Sequence, residues 1–139
     1  MEETEYHPFN ILQNIGYSKK ASLLLDQQLN FGRMEKPDIT IRHQSDCGDL
    51  LILYLKIDKE NILNAQYEYI GCRGLQAAAS ALTELIKGKT FNEASKIEFQ
   101  DILNFLEGVP EAKYECIHLA LNTLGEGMKN YYEKGGYYK

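Results

Sequence analysis

The spacing of apolar residues changes twice along the chain, and the changes divide it into three parts. Over residues 19–29, Ala21, Leu24, Leu25 and Leu29 fall along one side of a predicted helix, and Ser18 ahead of them offers an N-cap hydroxyl. A loop punctuated by Gly32 and Pro37 then leads to three predicted strands. Residues 39–44 alternate apolar and polar side chains. Residues 50–57 are almost wholly apolar, as in a central strand covered on at least one face. Residues 63–69 alternate again, with the even-numbered positions expected to face water. The turn at residues 58–61 is short enough to close the last two strands into an antiparallel hairpin.

From Leu75 the period is helical. Leu75, Ala78, Ala79, Leu82 and Ile86 form one apolar face, and Gly88 after Lys87 supplies a stop. The run from Ala77 to Ala81 lacks bulk and invites another backbone close. Thr90 and Glu93 have capping-box spacing for a short helix. Phe99, Ile102, Leu103 and Leu106 predict another, ended by Gly108 and Pro110. The last helix starts near Ala112 and carries Ile117, Ala120, Leu121, Leu124, Met128 and Tyr131, with Gly125 and Gly127 expected to weaken it. An N-terminal helix, then strands, then helices predict an α+β fold: a three-stranded antiparallel sheet packed against several helices. The expected domain covers residues 17–133, with an arm at 1–16 and a flexible tail at 134–139.

Charge and composition narrow the functional classes. A net charge of −5 without a dense Lys/Arg stripe argues against nucleic acid as a partner. No apolar run approaches the roughly 18 residues of a membrane span, so no membrane partner is expected. The acidic start, with Glu2, Glu3 and Glu5, is unlike a secretory signal, which makes the cytoplasm the expected location.

The 3 cysteines, Cys47, Cys72 and Cys116, are odd in number and far apart, as thiols in a reducing compartment are. Scattered cysteines are commonly just small buried hydrophobes. Position argues for more. Cys47 stands in Asp46-Cys47-Gly48-Asp49 at the bend between the first two strands, with the Asp49 carboxylate beside it. Cys72 stands between the third strand and the alanine-rich helix, and Cys116 lies in the first turn of the last helix. Unpaired amides and the dipole at a helix N-terminus favour a thiolate. Three thiols converging at one end of the sheet would suit zinc or iron–sulfur chemistry. His43 could curl toward such a site. His118 lies about 200° round the helix from Cys116 and suits a surface or packing position instead. His7, in the arm, is given no role, and Asp101, Glu107 and Glu111 suit solvated helix faces. Lys113 fits equally a solvated lysine and an anion-stabilising one. No base or oxyanion motif accompanies a cysteine, which ranks a thiol enzyme last.

Cys47-Gly48-Asp49, then Gly71-Cys72 with Ala77, Ser80, Thr83-Glu84 and Lys87-Gly88-Lys89-Thr90, then Pro110, Lys113 and Cys116, resemble the NifU/IscU iron–sulfur cluster scaffold family. Tyr17-Ser18-Lys19-Lys20 is similar to that family's first helix, and residues 30–35 to a loop of its NifU-like branches. The likeness spans roughly residues 17–132. It implies a non-enzymatic scaffold on which a labile [2Fe–2S] cluster is built and handed on, with Cys47, Asp49, Cys72 and Cys116 holding cluster, iron or zinc. It also implies a cysteine desulfurase as sulfur donor, recipient apo iron–sulfur proteins as partners, and either a monomer or a homodimer. The alternative is a zinc-binding interaction or regulatory module of the same fold that has lost cluster transfer. Where the family places a histidine before the third cysteine, this chain has Glu115, so the fourth ligand stays open among Asp49, Glu115 and water. Arg73 follows the second cysteine in place of a small residue, and residues 108–113 are poorer in proline than the family's chaperone-recognition segment.

Overall fold

A computed structural model describes residues 16–133. The first 15 residues, including His7, and the tail at 134–139 lie outside them. Helix α1 (Lys19–Gln27) precedes strands β1 (Ile39–Gln44), β2 (Leu50–Asp58) and β3 (Asn61–Ile70). Helices α2 (Arg73–Ile86), α3 (Phe91–Ala94), α4 (Phe99–Leu106) and α5 (Tyr114–Glu133) follow, with a 3₁₀ turn at Glu111–Lys113 before α5. The architecture is the expected α+β one, and the sheet order is β1-β2-β3, antiparallel throughout.

Local chemistry places these elements. The Ser18 hydroxyl accepts from the Ala21 amide at 2.8 Å and caps α1. It also donates to the Leu106 carbonyl, tying α1 to the end of α4. α1 stops two residues earlier than its apolar stripe suggests, because Gln28 turns left-handed and its amide reaches back to the carbonyls of Leu24 and Leu25. Thr90 and Glu93 form both bonds of the capping box. The last helix opens as 3₁₀, with the Lys113 amide donating to the Pro110 carbonyl at 2.8 Å, and becomes α-helical at Tyr114.

The strand alternation holds for Asn64 to Glu68 and fails below it. Lys56 pairs with Asn64 but Ile57 with Ile62, so Leu63 bulges out of the ladder. The bulge reverses the expected facing: Ile62 is fully buried and Leu63 is 56% exposed. One sheet face carries Ile41, Leu51, Leu53, Leu55, Ala65 and Tyr67, all buried against Leu75, Ala78, Leu82 and Ile86 of α2 and the apolar side of α5. Gly127 does more than weaken a helix. A Cβ there would lie 2.2 Å from Ile41 Cδ1, so its absence lets α5 settle onto β1.

Candidate functional site

Strand register decides what meets at the N-terminal end of α2. Leu50 pairs with Ile70, which sets Asp49 opposite Gly71 where β3 gives way to the helix. A Cβ on Gly71 would lie 3.1 Å from both Cγ and Oδ1 of Asp49, so glycine leaves that space to the carboxylate. Cys72 follows as the N-cap of α2, with extended backbone at φ −90° and ψ 172°.

Cys116 arrives from α5, and the two sulfurs stand 3.6 Å apart, within S–H···S hydrogen-bonding distance. Cys72 is half-buried, whereas Cys116 is buried. The stem of Lys113 crosses Gly74, where a Cβ would approach its Cβ, Cγ and Cδ to between 2.8 and 2.9 Å. Gly74 leaves room for that stem in the first turn of α2, and the Lys113 charge acts on both thiols. Tyr17, only 4% exposed, belongs to the same environment, and the charges of Cys72, Cys116 and Arg73 all act on it.

The two thiols divide the proton between them. Burial pushes the Cys72 thiol up, but it is outweighed by the Leu75 amide, the Cys116 thiol, the Gly74 amide and the Lys113 charge, so the net shift is downward. The Cys72 side chain forms no capping hydrogen bond. The amide dipoles of the helix start act on it nonetheless. Burial pushes the Cys116 thiol up strongly, and negative charge on Cys72 and then Asp49 adds to this, with Lys113 opposing. Burial first, then the two cysteines, likewise carries Tyr17 to about 12. Within this coupled pair the shifts run in opposite directions, downward for Cys72 and upward for Cys116.

Cys47 is placed differently. It is exposed on the β1–β2 turn, at the same end of the sheet. The turn is closed by Gly48 N–H to the Ser45 carbonyl at 3.0 Å and Ser45 N–H to the Asp49 carbonyl at 2.8 Å. Gly48 holds φ +97°, a conformation that few residues besides glycine adopt readily. Among the described residues, no three His, Cys, Asp or Glu side chains are gathered into a preformed metal set. Two sulfurs meet, Asp49 borders them, and Cys47 stays on its turn.

The remaining candidates are dispersed. Glu115 is exposed at the start of α5. His118 stacks on Phe99 with ring centroids 4.9 Å apart and 22° between planes, a packing role in keeping with its spacing. His43 is half-buried on β1, paired with Leu51. Gly74 escaped the sequence reading, and Tyr17 entered only through the likeness of its segment. The signal for Gly74 was a glycine in the first turn of a helix otherwise rich in alanine.

The chain matches the family of NifU-like N-terminal domains over residues 16–137. It is 35% identical over 130 residues to the iron–sulfur cluster assembly protein IscU of Plasmodium falciparum, a match covering 91% of this chain and 78% of that one. It is 40% identical over 87 residues to the nitrogen fixation protein NifU of a Nostoc species, covering 61% of this chain but 29% of that much longer one. Its fold resembles a SUF-system cluster assembly scaffold from Fervidobacterium islandicum, with a TM-score of 0.65 at 23% identity, covering 81% of this chain and 96% of that one.

Proposed function

This chain belongs to the NifU-like N-terminal domain family, and from that premise we propose that it is a scaffold on which an iron–sulfur cluster is assembled and from which it is passed on. The observation that carries the reading is the pair of sulfurs facing each other at 3.6 Å beside the Asp49 carboxylate. The cluster is cargo, of the [2Fe–2S] type. Cys72 and Cys116 take one side of it, Asp49 lies alongside, and Cys47 completes the set when its exposed turn folds inward. Glu115, exposed in the turn that carries Cys116, is a further candidate for the fourth position.

The donor set suits release as well as capture. Thiolates hold iron and sulfide firmly, whereas a carboxylate is a harder and more readily exchanged ligand. Four thiolates would suit storage; three and an oxygen suit delivery. Lys113 contributes positive charge where a cluster with thiolate ligands brings negative charge. The scaffold needs a persulfide donor of the cysteine desulfurase class and apo iron–sulfur proteins as recipients. Zinc, with three sulfurs and one oxygen, would fit the same residues. A zinc-holding regulatory module is therefore the competing outcome of the test.

The test is transfer. Protein reconstituted anaerobically with iron and sulfide is mixed with an apo plant-type ferredoxin, and the visible circular dichroism of the recipient is followed. Growth of the ferredoxin signal at the expense of the donor is expected. A protein that holds zinc tightly and takes up no iron and sulfide would contradict the reading.

A further inference from the structure

The chain carries a net charge of −5, yet two cations stand beside Cys72. Lys113 is the one that acts on both thiols. Arg73 is exposed and turned elsewhere, its Nη1 donating to Gln76 Oε1 at 3.4 Å. It also opens α2 against the helix dipole, where an acidic side chain would add stability and a cation costs some. Folding does not explain that position. We infer that Arg73, with Tyr69 and Phe31 beside it, is the surface on which an acidic recipient protein docks to collect the cluster. The inference rests on the scaffold reading and names the kind of partner to which the cargo is handed.

The three side chains form one continuous strip. Gln76, only 2% exposed, takes the Arg73 guanidinium on Oε1, and the same oxygen accepts from the Tyr69 hydroxyl at 2.9 Å. Phe31 meets the Tyr69 ring edge-on, with centroids 5.8 Å apart. Its backbone is fixed to the edge of β3: Gly32 N–H donates to the Tyr67 carbonyl at 2.7 Å, and Tyr67 N–H to the Asn30 carbonyl at 3.0 Å. The Phe31 side chain nonetheless stays 40% exposed. An apolar ring left open on so fixed a support has little ordering still to lose when a partner covers it.

Charge selects the occupant. A protein with an acidic surface is repelled by this chain as a whole and drawn to the end where Arg73 and Lys113 lie, so it arrives facing the cargo. The guanidinium keeps further N–H donors for a carboxylate of the incoming protein. An apolar side chain beside that carboxylate covers Phe31 and Tyr69. Arginine and aromatic rings carry much of the binding energy in such contacts. Because Arg73 follows Cys72 directly, a protein seated on the strip holds its own ligands next to the one that must let go.

The experiment loads the full-length chain with cluster and mixes it with an acidic apo plant-type ferredoxin at low and at high salt, following transfer by visible circular dichroism. A parallel measurement of cluster loss to a small iron chelator reads release without docking. Arg73→Glu is expected to slow transfer about tenfold at low salt and about twofold at high salt, where surface charges are screened. Arg73→Lys should recover most of the wild-type rate. Phe31→Ala, checked for native circular dichroism, should slow transfer about threefold at either salt. All three variants should load as much cluster as the wild type and lose it to the chelator as fast. Wild-type transfer rates in both Arg73→Glu and Phe31→Ala, or equal slowing toward ferredoxin and chelator, would overturn the inference. So would slower cluster building from a desulfurase with transfer unchanged, which would make the sulfur donor the occupant. A wild type that loads no cluster would instead bring down the scaffold reading itself.

Discussion

The two ends of α2 are built on opposite principles. At its C-terminal end, polar groups interlock. Asn30 donates to Thr83 Oγ1 at 3.0 Å and to Glu84 Oε1 at 3.1 Å, and accepts from Lys87 Nζ at 2.6 Å. Lys87 also pairs with Glu84 at 3.3 Å. One turn earlier, Ser80 donates to the Leu29 carbonyl at 3.0 Å and lies 2.7 Å from the Tyr67 hydroxyl. Hydrogen bonding from Asn30, set against partial burial and reinforced by Lys87, holds the Glu84 carboxyl below its ordinary range. At the N-terminal end, the cap residue is a cysteine that forms no cap bond, its neighbour is another thiol, and glycines stand at positions 71 and 74. One end is saturated so that the other can stay exchangeable. A cargo site needs groups whose bonds are given up when metal arrives, and a fixed helix to present them.

The comparison predicts that changes at one end spare the property governed by the other. The largest effect is expected from Cys72→Ala or Cys116→Ala, which should cut cluster content more than about tenfold, since each would remove a proposed ligand presented at a helix start. Their urea midpoints should fall far less than a buried Leu→Ala change would lower them. Next comes Asn30→Ala. It strips a partly buried donor from Thr83 and Glu84 and an acceptor from Lys87, and should cost about 1–3 kcal/mol in urea unfolding while leaving cluster content intact. An Asn30→Ala protein that folds stably but fails to load would dissolve the distinction between the ends.

Asp49→Cys sharpens it from the other side. A fourth thiolate should hold the cluster longer and slow its transfer to apo-ferredoxin several-fold, read as a transfer half-life. The smallest effect concerns pH. Cys116 and Tyr17 keep their protons in the folded protein well above the ordinary thiol and phenol ranges, Tyr17 to about 12. The unfolded chain releases them from about 8.5 and about 10. Above those values the native state binds more protons than the unfolded one, so metal-free stability should decline as pH rises through that window. Cys116→Ala should flatten the first part of the decline.

Legibility in the sequence followed the range of the interaction. Ser18, the Thr90–Glu93 box and the apolar face of α2 act over three or four residues, and their spacing shows in the chain itself. The same local logic placed Cys72 and Cys116 at helix starts, and the three-cysteine pattern carried the family. What stayed hidden needed partners distant in sequence. Leu63 bulges because of its register against Lys56 and Ile57, and Gly127 is small because Ile41 lies beneath it. Gly74 is small because Lys113 crosses it, and Asn30 clamps a helix more than fifty residues away. The exposure of Cys47 depends on its turn in three dimensions. Its motif, Cys-Gly-Asp, carries no sign of which way the thiol faces.

The most direct measurement is iron and acid-labile sulfide per chain after anaerobic reconstitution, with the visible spectrum, for wild type, Cys72→Ala, Cys116→Ala and Asn30→Ala. The account predicts sulfide-to-iron charge-transfer bands in the wild type and Asn30→Ala, and their loss in both cysteine variants. Equal iron and sulfide in all four, or a colourless wild type that binds only zinc, would contradict it.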